Sequence, residues 1–430
     1  MMQQEQRKDV EEPFGLLGRT LGHSWSPRIH GILGSTPYAL FEREPHEVEA
    51  FVREGDWRGI NVTIPYKRDA ARLADAQTSR VERLGVANTL VRRPDGTVLA
   101  DNTDVLGFAW MLERFCVRNL GRGARAVLEG RKVLVLGSGG ASQAVQAALE
   151  DVDAQTVVIS RSGAETYETL VDRHADAVLM VNTTPVGMYP NCPSSPLSRE
   201  MLASLAGLLG VLDVVYNPER TGICLASESL GIPCESGLAM LVSQAFFASQ
   251  LFQGRDLDEA LVESIENEIR NQTRNVILIG MPGCGKTSAG RRLARLVGRP
   301  FVDLDTSFEV DHGFTPSDCI RSHGEGRFRE LETTTAARYG SRSGLVIACG
   351  GGIVTQQRNY ELLHQNGTIV FLDRRLDELS TDGRPLSQSK GIQRLAQERM
   401  PLYRQWADIE LACTGSAAGD ASAIRQLLSF

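Results

Sequence analysis

Residues 280–287 read Gly-Met-Pro-Gly-Cys-Gly-Lys-Thr, and no other feature of the 430-residue chain restricts its fold as tightly. The octapeptide fits G-x-x-x-x-G-K-[ST] and stands between an apolar run that starts at Asn275 (NVILIG) and a helical segment from Ala289 to Leu296. A strand, a glycine loop and a helix in that order cradle phosphate. Backbone amides around Gly283 and Gly285 would face the nucleotide, Lys286 would reach the β- and γ-phosphates, and Thr287 would ligate Mg2+. Such a loop requires α/β architecture but does not choose between a kinase, a GTPase and an ATPase.

A second strand-turn-helix lies upstream. Lys132 to Leu136 (KVLVL) reads as a buried parallel strand, Gly137, Gly139 and Gly140 follow it, and an alanine-rich helical stretch runs from Ala141 to Glu150. Glycines at this place let backbone approach a pyrophosphate at a helix N-terminus. Ser142 stands where the dinucleotide fingerprint has its third small residue. The next strand, Thr156 to Ile159, ends at Ser160 and Arg161, where an acid would favour a free ribose 2′-hydroxyl and an arginine suits a 2′-phosphate. That position predicts NADP rather than NAD.

Length allows two or three domains. An acid-rich helical stretch, Asp256 to Asn271, precedes the strand at Asn275, so the major boundary is expected near 271. Net charge of -7 gives no general reason to bind nucleic acid or an anionic membrane, so anionic ligands need local arginines, lysines and amides. The eight cysteines form no C-x-x-C pair and the seven histidines no H-E-x-x-H, which argues against a zinc site or a disulfide framework. The start, MMQQEQRKDVEE, has no apolar signal region, and no stretch has membrane-spanning length, so a cytoplasmic protein is expected.

Eight segments occur in the order of one known family. SWSPRIH (24–30), NVTIPYK (61–67), ANTL (87–90), DNTD (101–104), GSGGAS (137–142), NTTPVGM (182–188), DVVYNP (213–218) and GLAMLVSQA (237–245) resemble shikimate dehydrogenases over residues 14 to 268. The resemblance implies Lys67 beside the reacting oxygen with Asp104 as its partner. It implies Ser24 and Ser26 at a substrate carboxylate, and Asn61, Thr63, Asn88 and Gln244 at ring hydroxyls. Thr183, Thr184, Met188, Tyr216 and Gly237 would line the nicotinamide pocket, Tyr216 also facing substrate, with Ala141, Ser160 and Arg161 at the nucleotide. The chain departs from the family at Gly31, at Val86-Ala87 and at Ser160, and Glu165 is an acid close to the expected 2′-phosphate.

Residues 275 to 430 resemble shikimate kinases through Asp303 and Asp305, GEGRFRELE from Gly324, the triple glycine 350 to 352, RPL from Arg384 and PLYR ending at Arg404. The resemblance places Asp305 at the attacking hydroxyl and Asp303 near Mg2+. Arg329, Arg404 and the amides around Gly351 would hold the substrate carboxylate, and Arg384 would close over the ATP phosphates. An arginine that such kinases carry before R-P-L is missing from LDELSTDGRPL, where Leu379, Ser380 and Thr381 stand, so weak ATP binding is expected unless Arg374 or Arg375 substitutes.

The expected architecture is therefore a substrate domain at 1–108 with returning helices at 238–268, a Rossmann NADP domain at 109–237, and a P-loop kinase domain at 272–430. The expected function is a bifunctional enzyme of aromatic amino acid biosynthesis. It would reduce 3-dehydroshikimate with NADPH and phosphorylate the shikimate formed with ATP and Mg2+, with no nucleic acid or membrane partner and compatibly with a homo-oligomer. The alternatives are a metabolite-sensing regulator on the same folds, or a quinate dehydrogenase joined to a kinase for another small polyol. Retention of Lys67, Asp104, Lys286, Thr287 and Asp305 speaks against the regulator.

Overall fold

The computed structural model describes residues 12–22, 24–379 and 391–430. The chain divides into two compact units. One holds the described residues up to Thr184 with Leu197–Tyr216 and Ser227–Asn267; the other holds Pro185–Pro196, Asn217–Ala226 and the described residues from Glu268 onward.

The first unit contains two sheets. Its six-stranded sheet has the order Tyr38–Glu42, Phe14–Gly18, Gly59–Val62, Thr89–Arg92, Val98–Asp101, Ala76–Gln77. Thr89–Arg92 runs antiparallel to both neighbours, and the remaining pairs are parallel. The second sheet has five parallel strands in the order Cys234–Glu235, Gly210–Asp213, Leu179–Asn182, Lys132–Leu136, Gln155–Ile159. Val133 to Leu136 are buried throughout, as a strand covered on both faces requires, which is why KVLVL does not alternate.

The strand Lys132–Leu136 stops at Gly137, whose φ is 102° and whose Cβ, if it had one, would stand 2.9 Å from Thr184 Cγ2. Only glycine fits that conformation and that approach. The helix Gly140–Glu150 follows, and Ser142 is accommodated because it is buried and accepts a hydrogen bond from Gln146 Nε2 at 2.9 Å.

Two helices fasten the returning segment. Leu238–Gln253 packs on Thr103–Leu120 at Gly107, where any side chain would come within 2.8 Å of Gln244. Arg114 on the Thr103–Leu120 helix, partly buried, bridges Glu235 and Glu266, the latter at 2.5 Å. The close approach brings Gln244 toward the N-terminal turn that carries Asp104.

The second unit is built on one parallel sheet, ordered Phe301–Asp303, Val346–Ala348, Asn275–Ile279, Gly367–Asp373, Ile409–Ala412. The central strand Asn275–Ile279 is buried along its whole length and leads into the glycine loop and the helix Lys286–Val297. Among the described residues no helix is long and apolar enough to cross a membrane.

Candidate active sites

In the first unit, loop and strand ends converge on a cavity of about 320 Å³. Ser24, Ser26, Asn61, Thr63, Lys67, Asn88, Asp104, Ala141, Tyr216, Gly237 and Gln244 all line it. Segments as distant in sequence as Ser24 and Gln244 therefore meet as expected.

Lys67 opens the helix Lys67–Leu73, and Asp104 lies in the first turn of Thr103–Leu120. A carboxylate suits that turn, where unpaired backbone amides leave a partial positive charge. Lys67 Nζ donates to Asp104 Oδ2 at 2.6 Å, while Asn88 Nδ2 donates to Oδ1 at 2.9 Å. The other acid of DNTD, Asp101, is buried and clasped by Arg80 through two hydrogen bonds of 3.0 and 2.7 Å. Asp101 is thus occupied structurally, and Asp104 is the carboxylate that the cavity receives.

The glycine loop gathers a second group. Gly137 lies against Thr183 and Thr184, and Thr183 Oγ1 donates to the carbonyl of Leu136 at 2.7 Å. Beyond Gly139 and Gly140 a Cβ would meet nothing within 4 Å, so the approach to the helix N-terminus is open. That opening at the carboxyl ends of parallel strands fits a dinucleotide. Arg161 is exposed just past the adjacent strand. Glu165 accepts from Arg173 at 2.8 Å and pairs with His174 at 3.2 Å, so its charge is engaged. Met188 follows Thr184 in the same loop and is 48% exposed.

In the second unit the P-loop borders a cavity of about 440 Å³ lined by Gly283, Gly285, Lys286, Thr287, Asp303, Asp305, Arg329, Gly350, Gly351 and Gly352, together with Glu332 and Arg399. Lys286 Nζ donates to the carbonyls of Gly280 and Met281 at 2.9 and 3.0 Å. Thr287 Oγ1 donates to Asp303 Oδ2 at 2.7 Å, and Asp303 Oδ1 caps the helix Leu304–His312 through the amides of Asp305 and Thr306. A hydroxyl and a carboxylate side by side next to the loop fit Mg2+, a hard ion that takes few protein oxygens and fills its shell with water and phosphate.

The triple glycine is a matter of space. A Cβ on Gly352 would lie 2.2 Å from Arg329 Nη2, and one on Gly350 would lie 2.8 Å from Asp305 Oδ1. Arg329 is buried and donates to Glu332 Oε2 at 2.6 Å and to Glu325 Oε1 at 3.2 Å. Burial pushes the Glu332 carboxyl up to about 7, against the pull of Arg329 and with a further push from Asp305.

Arg404 requires correction. It is 54% exposed and pairs with Asp373 and Glu410, outside the cavity. Arg399 on the same helix, Ile392–Trp406, takes the inward place: it is 4% exposed, and its Nη1 donates to the Gly351 carbonyl at 3.0 Å. Tyr403 Oη donates to the same carbonyl. Among the described residues Arg399 has no ion-pair partner, and its Nε has no hydrogen bond. Helical phase was the available signal. Arg399, Tyr403 and Trp406 lie on one buried face, whereas Arg404 is one residue, about 100°, further round.

Arg384, Ser380 and Thr381 lie outside the described residues. Of the two arginines considered in their stead, Arg374 reaches Asp420 at 3.5 Å and approaches Gly285 of the loop, while Arg375 is exposed and paired with Asp377.

Comparison with known proteins matches different families to the two ends of the chain. The family model for the shikimate dehydrogenase substrate binding domain matches residues 16–90, and that for shikimate kinase matches residues 282–429. The chain is 33% identical over 280 residues to a shikimate dehydrogenase (NADP+) of Clostridium perfringens, covering 60% of this chain and 98% of the relative. It is 35% identical over 264 residues to that of Caldicellulosiruptor bescii, covering 55% of this chain and 88% of the relative. Among solved structures it is similar to a chorismate mutase/shikimate 5-dehydrogenase fusion protein from Clostridium acetobutylicum, with TM-score 0.54, 29% identity and coverage of 60% and 97%. It is also similar to the Thermus thermophilus shikimate 5-dehydrogenase in complex with NADP(H) and shikimate, with TM-score 0.50, 27% identity and coverage of 60% and 98%.

Proposed function

We propose that this chain, which belongs to the shikimate dehydrogenase family and continues into a shikimate kinase domain, catalyses two consecutive reactions, reducing 3-dehydroshikimate to shikimate and then phosphorylating it. The observation that carries the reading is the presence in one chain of the Lys67–Asp104 pair in a polar cavity and of a P-loop cavity floored by two buried arginines. NADPH supplies the hydride and ATP the phosphoryl group.

In the first cavity the Lys67 ammonium donates a proton to the carbonyl oxygen as it becomes an alkoxide. Asp104 holds that ammonium, and Asn88 holds Asp104 by its other oxygen, so the donor is aimed before substrate arrives. Ser24 and Ser26 offer hydroxyls to the substrate carboxylate, and Asn61, Thr63 and Gln244 meet ring hydroxyls. Arg161 receives the 2′-phosphate of NADP, and Thr183 and Thr184 border the cofactor beside Gly137.

In the second cavity Asp305 takes the proton of the attacking hydroxyl, and Lys286 steadies the phosphates. Thr287 and Asp303 would hold Mg2+, directly or through water. Arg329 and Arg399 grip the substrate carboxylate, a planar task for which arginine is suited. Because Glu332 already pairs with Arg329, the carboxylate's own counter-charge is Arg399.

The reading keeps a substrate domain at 1–108 with helices at 238–268, a cofactor domain at 109–237 and a kinase domain at 272–430, supported by the three separate sheets. It includes a cytoplasmic location, supported by eight cysteines that are all free. The test is to offer the purified chain 3-dehydroshikimate with NADPH and, separately, shikimate with ATP and Mg2+. Both should turn over, and failure of either removes that half.

A further inference from the structure

Thr89 is fully buried on the strand Thr89–Arg92, between the two amides that line the first cavity. Its Oγ1 lies 3.3 Å from Asn61 Nδ2, 3.1 Å from Asn88 Oδ1 and 3.0 Å from Thr103 Oγ1. The oxygen and nitrogen of an amide have nearly the same shape, so only partners of fixed polarity decide which way it points.

Asn88 has two such partners. The backbone N–H of Thr103, which can only donate, lies 2.7 Å from its Oδ1, and the Asp104 carboxylate accepts from its Nδ2 at 2.9 Å. A flipped Asn88 would set N–H against N–H and carbonyl against carboxylate. Among the described residues, the partners of Asn61, the His30 ring included, are groups that can either donate or accept. Asn61 Oδ1 meets the hydroxyl of Tyr38 at 2.9 Å, and a phenol can donate or accept.

We propose that Thr89 is a positioning residue that carries the orientation fixed at Asn88 across to Asn61. Its one hydroxyl proton goes to Asn88 Oδ1, which leaves Thr89 Oγ1 only lone pairs to offer Asn61. Asn61 must then turn its Nδ2 to Thr89 and its Oδ1 to Tyr38. The hydroxyl of Thr103 donates into the same pair of oxygens and completes the proton count. Both amides keep one N–H hydrogen unspent while their carbonyls are committed inside the protein. The site therefore offers donors at Asn61 and Asn88 and an acceptor at Asp104. Substrate oxygens accept at the first two positions and a substrate hydroxyl donates at the third, which selects a polyhydroxylated ring in one orientation.

This deepens the dehydrogenase reading and rests on it. The test is shikimate oxidation with NADP+ by Thr89→Val, which keeps the shape and removes the hydroxyl. The shikimate KM should rise roughly five- to twentyfold, the effect of one misdirected hydrogen bond, while kcat changes less than about threefold and the NADP+ KM stays put. Thr89→Ser should restore the wild-type KM. In an Asn61→Ala background Thr89→Val should lose most of its effect, because the two residues act as one unit. An unchanged shikimate KM in folded Thr89→Val, or an equal effect with and without Asn61, overturns the proposal. Neutron diffraction of the wild-type protein gives a reading that depends on neither folding of the variant nor turnover: a deuteron on Thr89 directed at Asn88 supports the relay, and one directed at Asn61 refutes it. A wild-type chain inert toward shikimate would instead defeat the functional reading and leave the neutron result to stand alone.

Discussion

Lys67 and Asp104 come from helices 37 residues apart in sequence, yet their charged ends meet at 2.6 Å within one cavity. The P-loop lysine, Lys286, stands in the other unit. Each reaction thus has its own cation, and the two should fail separately. Lys67→Ala is expected to lower the kcat of ketone reduction by about 10²–10⁴ and leave phosphorylation intact, and Lys286→Ala to do the reverse. Circular dichroism on each variant, with both assays, checks this; loss of both activities in a folded variant would contradict it.

Arg399 and Arg404 make a matched pair for a second prediction. Arg399→Ala should raise the kinase KM for shikimate roughly ten- to hundredfold, since a charge-assisted contact is lost from a buried place. Arg404→Ala, an exposed residue with surface partners, should change it less than about threefold. The reverse ranking in steady-state kinetics would mean that the helix presents its other face to substrate.

Arg161 predicts the choice of nucleotide. Arg161→Ala should weaken NADPH and leave NADH unaffected, because only the former has a 2′-phosphate. Equal loss with both nucleotides would remove the assignment. Glu165 does not stand in its way, because its carboxylate is paired with Arg173 at 2.8 Å.

Glu332 gives the kinase a pH dependence with a definite sign. Burial lifts its carboxyl from the ordinary range to about 7, so it gains a proton as pH falls through neutrality. Losing that negative charge beside Arg329 favours a bound carboxylate, so shikimate should bind more tightly below pH 7 than above it. Isothermal titration across that range measures the slope, and Glu332→Gln should flatten it. The same shift has a stability consequence. The folded state holds this proton up to about pH 7 while an unfolded glutamate releases it near its usual value, so the contribution of Glu332 to stability declines as pH rises between the two.

Much of the fold was legible because it is written locally. KVLVL, the glycine clusters and GMPGCGKT each specify a strand end and a helix start within a dozen residues, and Lys132–Leu136 and Asn275–Ile279 fall where the apolar runs placed them. The dehydrogenase cavity was legible through motifs, since the residues assigned to substrate do converge. What failed was phase and partnership. Within ERMPLYR the motif drew attention to Arg404, but the direction of each arginine follows from helix rotation, which turns Arg399 inward with Tyr403. Glu332 looked like one more acid in GEGRFRELE, and its unusual carboxyl depends on burial that no local pattern records.

The most direct measurement combines the two reactions in one vessel. With 3-dehydroshikimate, NADPH, ATP and Mg2+ supplied to the single purified chain, NADPH consumption is followed by absorbance and shikimate 3-phosphate by mass spectrometry. Phosphorylated product should accumulate mole for mole with NADPH oxidised once shikimate reaches its steady level. NADPH oxidation that ends at free shikimate, with ATP untouched, would contradict it.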